Sequence, residues 1–155
     1  MAKQENKILP KIFQKMLPDD YISDTFLIAE DFFNAYSALR KTENYRHLMV
    51  LGFLAARSAE LYIKCLVIEH TESVKYFDEF RKIKHNLKNL LNLLIVLDPS
   101  SKNLQKAIDS LSKYEADKVV YAESLYREGS PSLFGTNETD QVIQVRQFAK
   151  DYLKW

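Results

Sequence analysis

Between Tyr45 and His70 lies a stretch that is apolar nearly all round as far as Arg57, beyond which Arg57, Glu60 and Lys64 form a single polar stripe. A helix with one apolar face can lie on a surface, but a helix apolar on every side has to be surrounded. This segment is therefore expected to be the central element of the fold, and the rest of the chain must supply its neighbours. Gly52, Ala56 and Ala59 fall on one side of it, and small residues at that spacing let another helix approach closely. Arg57, Glu60 and Lys64 interrupt it too soon for it to span a bilayer. The neighbours cannot be an all-β shell, because 3 Gly and 4 Pro are too few for the tight turns such a fold needs. The expected class is all-α. At 155 residues with 46% hydrophobic content, the chain has the size and the apolar material of one packed domain.

Helical periodicity places the neighbours. Residues 1–18 read as a polar lead with a short apolar patch, Ile8 to Leu17, bracketed by Pro10 and Pro18; residues 19–155 read as a single helical domain. Asp19 and Asp20 offer an N-cap for a first main helix over Tyr21 to Arg40, with Ile22, Phe26, Ala29, Phe33 and Tyr36 on its buried face. Thr71 to Lys84 is expected to be the least regular part, anchored by Tyr76, Phe77 and Phe80. Asn86 is the expected N-cap of a third helix that ends near Leu97, before Asp98-Pro99. Ser100 or Ser101 is expected to cap a fourth helix through Arg127, with Leu104, Ile108, Leu111, Val119, Ala122 and Leu125 buried. A last helix reaches Trp155 with Val142, Val145, Phe148, Ala149 and Tyr152 facing inward. Four to five main helices joined by short loops predict an up-and-down antiparallel bundle.

Two motifs carry a resemblance. Ala55-Ala56-Arg57-Ser58-Ala59-Glu60-Leu61-Tyr62-Ile63-Lys64 on the central helix, followed by Lys84-His85-Asn86-Leu87-Lys88-Asn89-Leu90-Leu91 opening the next, resembles the HEPN family of small helical bundles. The resemblance implies a helical module that pairs with a second copy. Its relatives include ribonucleases, toxin partners and proteins with no assigned chemistry. HEPN ribonucleases share an Arg-x(4–6)-His motif in their later helices. There a histidine titrating near neutral pH moves the proton and an arginine holds the charged phosphorane. In this chain Arg81 and His85 are separated by three residues, one short of that pattern. Arg40 and His47 match it formally but flank the first interhelical loop, and no histidine follows His85.

Other chemistry is sparse. His47, His70 and His85 lack metal-ligand spacing, the three glycines form no phosphate loop, and Cys65 lies alone in an apolar helix, so neither a metal nor a cofactor is expected. Twenty-two basic against 21 acidic residues give a net charge of +1, which creates no global field toward nucleic acid or an anionic membrane. Arg81, Lys82, Lys84 and Lys88 form a local basic cluster that suits either a solvated helix start or a nucleic-acid patch. Arg57, Glu60, Lys64 and His85 are the candidate ligand-binding residues. They read either as a polar face with a Glu60–Lys64 salt bridge or as a groove where arginine binds phosphate. Tyr121, Tyr126 and Arg127 are read as packing. The residues 1–7 hold no apolar run suited to a secretory signal, and a cytoplasmic protein is expected.

The expected function is a non-catalytic HEPN-like module that forms a homodimer and binds a nucleotide, RNA or a protein partner such as a nucleotidyltransferase-like protein, in a toxin–antitoxin or defence setting. The 9 Phe and 9 Tyr exceed what a small bundle must bury and favour the dimer. One alternative is a metal-independent ribonuclease using His85 with Arg81, or Arg40 with His47; another is a purely structural partner subunit.

Overall fold

The computed structural model describes residues 17, 20–42, 48–71, 73–115 and 136–155, without the side chains of residues 48, 49 and 136–139. Among the described residues every regular element is helical: α1 (Tyr21–Arg40), α2 (Leu48–His70), α3 (Val74–Ile83), α4 (Leu87–Leu97), a 3₁₀ turn over Pro99–Leu104, α5 (Gln105–Leu111), a 3₁₀ turn over Ser112–Tyr114, and α6 (Thr136–Leu153). They share one continuous core to which all six helices contribute. None of them is long and apolar enough to cross a membrane.

α2 is the element the others surround. α1, α4, α5 and α6 all pack on it, while α3 packs on α4 and α5 also on α6. Ala55, Ala59, Tyr62, Ile63, Cys65, Leu66, Val67 and Ile68 are completely shielded from solvent. The small residues are expected to admit a neighbouring helix; at Gly52 the close neighbour is a side chain of the second 3₁₀ turn. Gly52 faces the Tyr114 ring so closely that a Cβ there would come within 2.2 Å of ring carbon Cδ1.

Contacts along α2 give the direction of its neighbours. Phe32 meets Phe53, the Ser58 hydroxyl donates to the Ala29 carbonyl, Phe26 meets Tyr62, and the Cys65 thiol lies 3.6 Å from the Ile22 carbonyl. The numbers fall on α1 as they rise on α2, so the two helices are antiparallel. α4 runs with α2, since His85 meets Glu60 near its start and Asp98 meets His70 at its end. α6 also runs with α2: Arg146 shares Glu30 with Tyr62, and Tyr152 reaches His70. The C-terminal ends of α2, α4 and α6 therefore converge.

Three expectations are corrected. The segment after Thr71, expected to be the least regular part, contains α3, which brings the α-helices among the described residues to six against the four to five expected. Phe77 and Phe80 are buried while Lys75, Asp78, Glu79, Arg81 and Lys82 are exposed. A ten-residue helix is marginal alone, and burial of its two phenylalanines makes it form. The fourth helix is not one element from Ser100 onward. Asp98, not a serine, caps the chain after α4 by accepting from the Ser100 amide at 3.0 Å. The chain then passes through two 3₁₀ turns around α5 and leaves helical geometry at Glu115, with φ −58° and ψ 151°. The carboxylate of Glu115 turns back to accept the Leu87 amide, a tertiary contact that no helical period foretells. Val119, Ala122, Leu125, Tyr121, Tyr126 and Arg127 lie outside the described residues. Tyr152, expected inside, is 40% exposed, because its hydroxyl reaches across to His70 at the helix ends.

Other readings of the helices hold, apart from the side-chain cap at Asp20. α1 has the expected bounds and buries Ile22, Phe26, Ala29 and Tyr36; Phe33 is half-buried beneath the Arg146 guanidinium, 4.6 Å from its ring. Asp20 stands at the N-cap position but makes no side-chain capping bond. Asn86 does cap α4, its side-chain oxygen accepting the Asn89 amide at 2.9 Å. Leu17 packs on the core, while the remainder of the 1–18 lead lies outside the described residues except for that one position.

Candidate functional site

The candidate residues Arg57, Glu60, Lys64 and His85 come together around one carboxylate. Glu60 is 4% exposed although it is ionisable, and an unpaired buried carboxylate would be costly. Its neighbours compensate. Arg57 Nη1 donates to both carboxylate oxygens at 2.6 Å, one helical turn before it. Lys64 Nζ, one turn after it, donates to Oε1 at 2.5 Å. His85 Nδ1, from beyond α3, lies 2.9 Å from the same Oε1. Burial alone would raise the Glu60 pKa, but hydrogen bonds from Lys64, His85 and Arg57 outweigh it and hold the carboxyl below its ordinary range.

His85 also lies 2.9 Å from Arg57 Nη1 through the same ring nitrogen. Both contacts cannot be hydrogen bonds at once. With a proton on Nδ1 the ring donates to Glu60; without one, Nδ1 accepts from Arg57. In the first arrangement Nε2 is the nitrogen left to act as an acceptor. The ring is half exposed, so that nitrogen can meet a ligand from solvent.

Local geometry brings His85 here. α3 ends at Ile83, and Lys84 adopts φ 55° and ψ −101°, a conformation a non-glycine residue rarely takes. The chain turns sharply there, and Asn86 then starts α4. The Arg81–His85 pair is thus not held by continuous helix: the helix stops between them, and Arg81 lays its guanidinium 5.9 Å from the centroid of the Phe77 ring. The arginine brought to His85 is Arg57, 28 residues away in sequence. No spacing rule could have found it. Arg40 closes α1, and its formal partner His47 lies outside the described residues.

The surroundings decide what the cluster can hold. The recess under it, lined by Phe53, Ala56, Arg57, Glu60, Leu87 and Glu115, encloses only about 10 Å³, barely the room one water needs. A ligand must engage the exposed rim, where the Arg57 side chain is 26% and the Lys64 side chain 13% exposed. Two amides of the α4 N-terminus are already taken, that of Asn89 by the Asn86 side chain and that of Leu87 by the carboxylate of Glu115 at 2.7 Å. Glu115 was missed by sequence reasoning because it sat inside an expected helix. Lys88 of the basic cluster faces Asp109 at 3.7 Å. Among the described residues no group of three or more His, Cys, Asp or Glu side chains is placed to hold a metal ion.

No family model, curated protein or solved structure matches the chain.

Proposed function

We propose that the chain is a non-catalytic, HEPN-like up-and-down helical module that binds a phosphate-bearing ligand, a nucleotide or RNA, at the Arg57–Lys64–His85 rim. The reading rests on one observation: two permanent cations and a histidine converge on a single buried carboxylate. Glu60 neutralises one of the two charges and fixes the directions of all three side chains. The remaining positive charge stands at a partly exposed rim, with the arginine fork available to phosphate oxygens. Preorganised donors lose less entropy on binding than free surface lysines do. The HEPN resemblance and the exposed Leu27 and Ile28 on the outer side of α1 support a homodimer. A protein partner such as a nucleotidyltransferase-like subunit, in a toxin–antitoxin or defence setting, would meet the same rim.

The test is fluorescence anisotropy of a labelled single-stranded RNA, and of a labelled adenine nucleotide, at low and moderate salt. Arg57→Ala and Lys64→Ala are each expected to weaken binding by about tenfold, the loss of one charge-assisted contact. Binding should fall with added salt. Undiminished binding in Arg57→Ala, or no binding by the wild type, would sink the proposal.

The 2.9 Å Arg57–His85 contact favours one other reading, a metal-independent ribonuclease. There His85 would carry the proton with Arg57, rather than Arg81, as the anion holder. RNA cleavage by wild type that vanishes in His85→Ala but persists in Arg81→Ala would replace the binding role with that activity.

A further inference from the structure

The C-terminal ends of α2, α4 and α6 enclose a cleft of about 470 Å³, a size that suits a small ligand. It lies about 15 Å along α2 from Glu60, ten residues at the helical rise, so it is separate from the rim described above. α2 contributes Glu69 and His70, α4 contributes Val96, and α6 contributes Tyr152; Ser73 and Tyr76, at the start of α3, close the other side.

The polar lining presents acceptors. His70 is held from both sides: Nδ1 is 3.2 Å from the Tyr152 hydroxyl and Nε2 is 3.6 Å from Asp98 Oδ2. Burial, followed by the charges of Glu69 and Asp98, disfavours ionisation of Tyr152, so the phenol stays neutral beside Nδ1. Whichever of the two donates, the phenol oxygen keeps a lone pair that can accept from a ligand. Ser73 stands at the N-cap of α3 without capping it, and its buried hydroxyl has no hydrogen-bond partner among the described residues. Glu69 adds a carboxylate. Three helix C-termini point their negative dipole ends at this place against one N-terminus, that of α3. Tyr76 and Tyr152 supply aromatic walls and Val96 an apolar one. Lys75 Nζ already sits 5.7 Å from the centroid of the Tyr76 ring, an internal case of the attraction such a wall exerts on an ammonium.

We infer that this cleft is a binding site for a small organic amine, its ammonium donating to Tyr152, Ser73 and Glu69 and its apolar body lying against Tyr76 and Val96. An anion could meet the Ser73 hydroxyl and the α3 N-terminus, but it would face the Glu69 carboxylate and the negative ends of three helices.

Three compounds of equal shape test this on the full chain by NMR: phenethylamine, 2-phenylethanol and phenylacetate. Phenethylamine is expected to shift the Tyr76 and Tyr152 ring resonances. The alcohol should bind at least about tenfold more weakly and the carboxylate more weakly still. Val96→Trp should abolish the shifts by filling the cleft, and Val96 is 63% exposed, so this variant keeps the fold. Glu69→Gln should weaken the amine about tenfold and leave the alcohol unchanged. Equal binding of amine and alcohol would overturn the inference. So would preference for phenylacetate, shifts that survive Val96→Trp, or no shift with any of the three.

Discussion

Arg146 of α6 grips Glu30 of α1 through two hydrogen bonds of 2.8 Å, one from Nε to Oε1 and one from Nη2 to Oε2. The Tyr62 hydroxyl of α2 donates to the same carboxylate, so three helices meet at one acidic side chain. The phenol is held firmly neutral, first by burial and then by its bond to Glu30. Arg146→Met is expected to cost about 1.5–3 kcal/mol, the range for hydrogen bonds to a charged group. Urea denaturation of Arg146→Met, Glu30→Gln and the double variant checks it, since the two losses should not add.

The same carboxylate carries a pH dependence. Burial would raise the Glu30 pKa, but bonds from Arg146 and Tyr62 outweigh that and leave it below the ordinary value. The stability this provides is complete above the unfolded-state pKa, about 4.3. It is lost as pH falls from there through the lower folded-state value. The melting-temperature gap between wild type and Glu30→Gln should therefore shrink between about pH 6 and about pH 3. A gap that stays constant over that range would contradict the role given to Glu30.

Glu60 separates Arg57 from Lys64. Glu60→Gln leaves those two cations facing each other with no countercharge. It is expected to cost about 3 kcal/mol, the low end for breaking a buried pair, because the cations themselves reach solvent. Adding Arg57→Gln should recover part of the loss. Chemical denaturation in which the second substitution only deepens the loss would count against this account.

Lys84 stands where glycine belongs. With φ 55° and ψ −101° its backbone is strained. Lys84→Gly should stabilise the fold by about 1 kcal/mol once glycine's greater freedom in the unfolded chain is deducted. A higher denaturation midpoint at unchanged m-value is the expected result, and a lower midpoint would show that the lysine side chain outweighs the strain.

Gly52→Ala tests the opposite case. Alanine is the better helix former by about 1 kcal/mol. Its Cβ would nevertheless press on Tyr114, whose ring carbons lie 2.2, 2.5 and 2.8 Å from that position. Overpacking should prevail and cost about 1–3 kcal/mol. In a Tyr114→Leu background the same substitution should cost much less, read by thermal melts of all four proteins.

Periodicity and local capping were enough for α1, for the central place of α2, for the Asn86 cap of α4 and for the inner face of α6 at Val142, Val145 and Ala149. These depend on neighbours within a turn or two, whose chemistry is written consecutively. Arg57, Glu60 and Lys64 could likewise be grouped, because i, i+3 and i+4 positions share a helix face. The turn of Lys84 that brings His85 to Glu60 could not be read, nor could the return of Glu115 to Leu87. The meeting of His70, Asp98 and Tyr152 was equally hidden. Each joins residues at least 25 positions apart, and each exists only because packing around α2 settles where the helix ends lie. Local periodicity determined which segments are helical and which faces are apolar. The tertiary structure decided which polar groups meet, because a buried charge selects its partners from whatever the packed helices bring within hydrogen-bond reach.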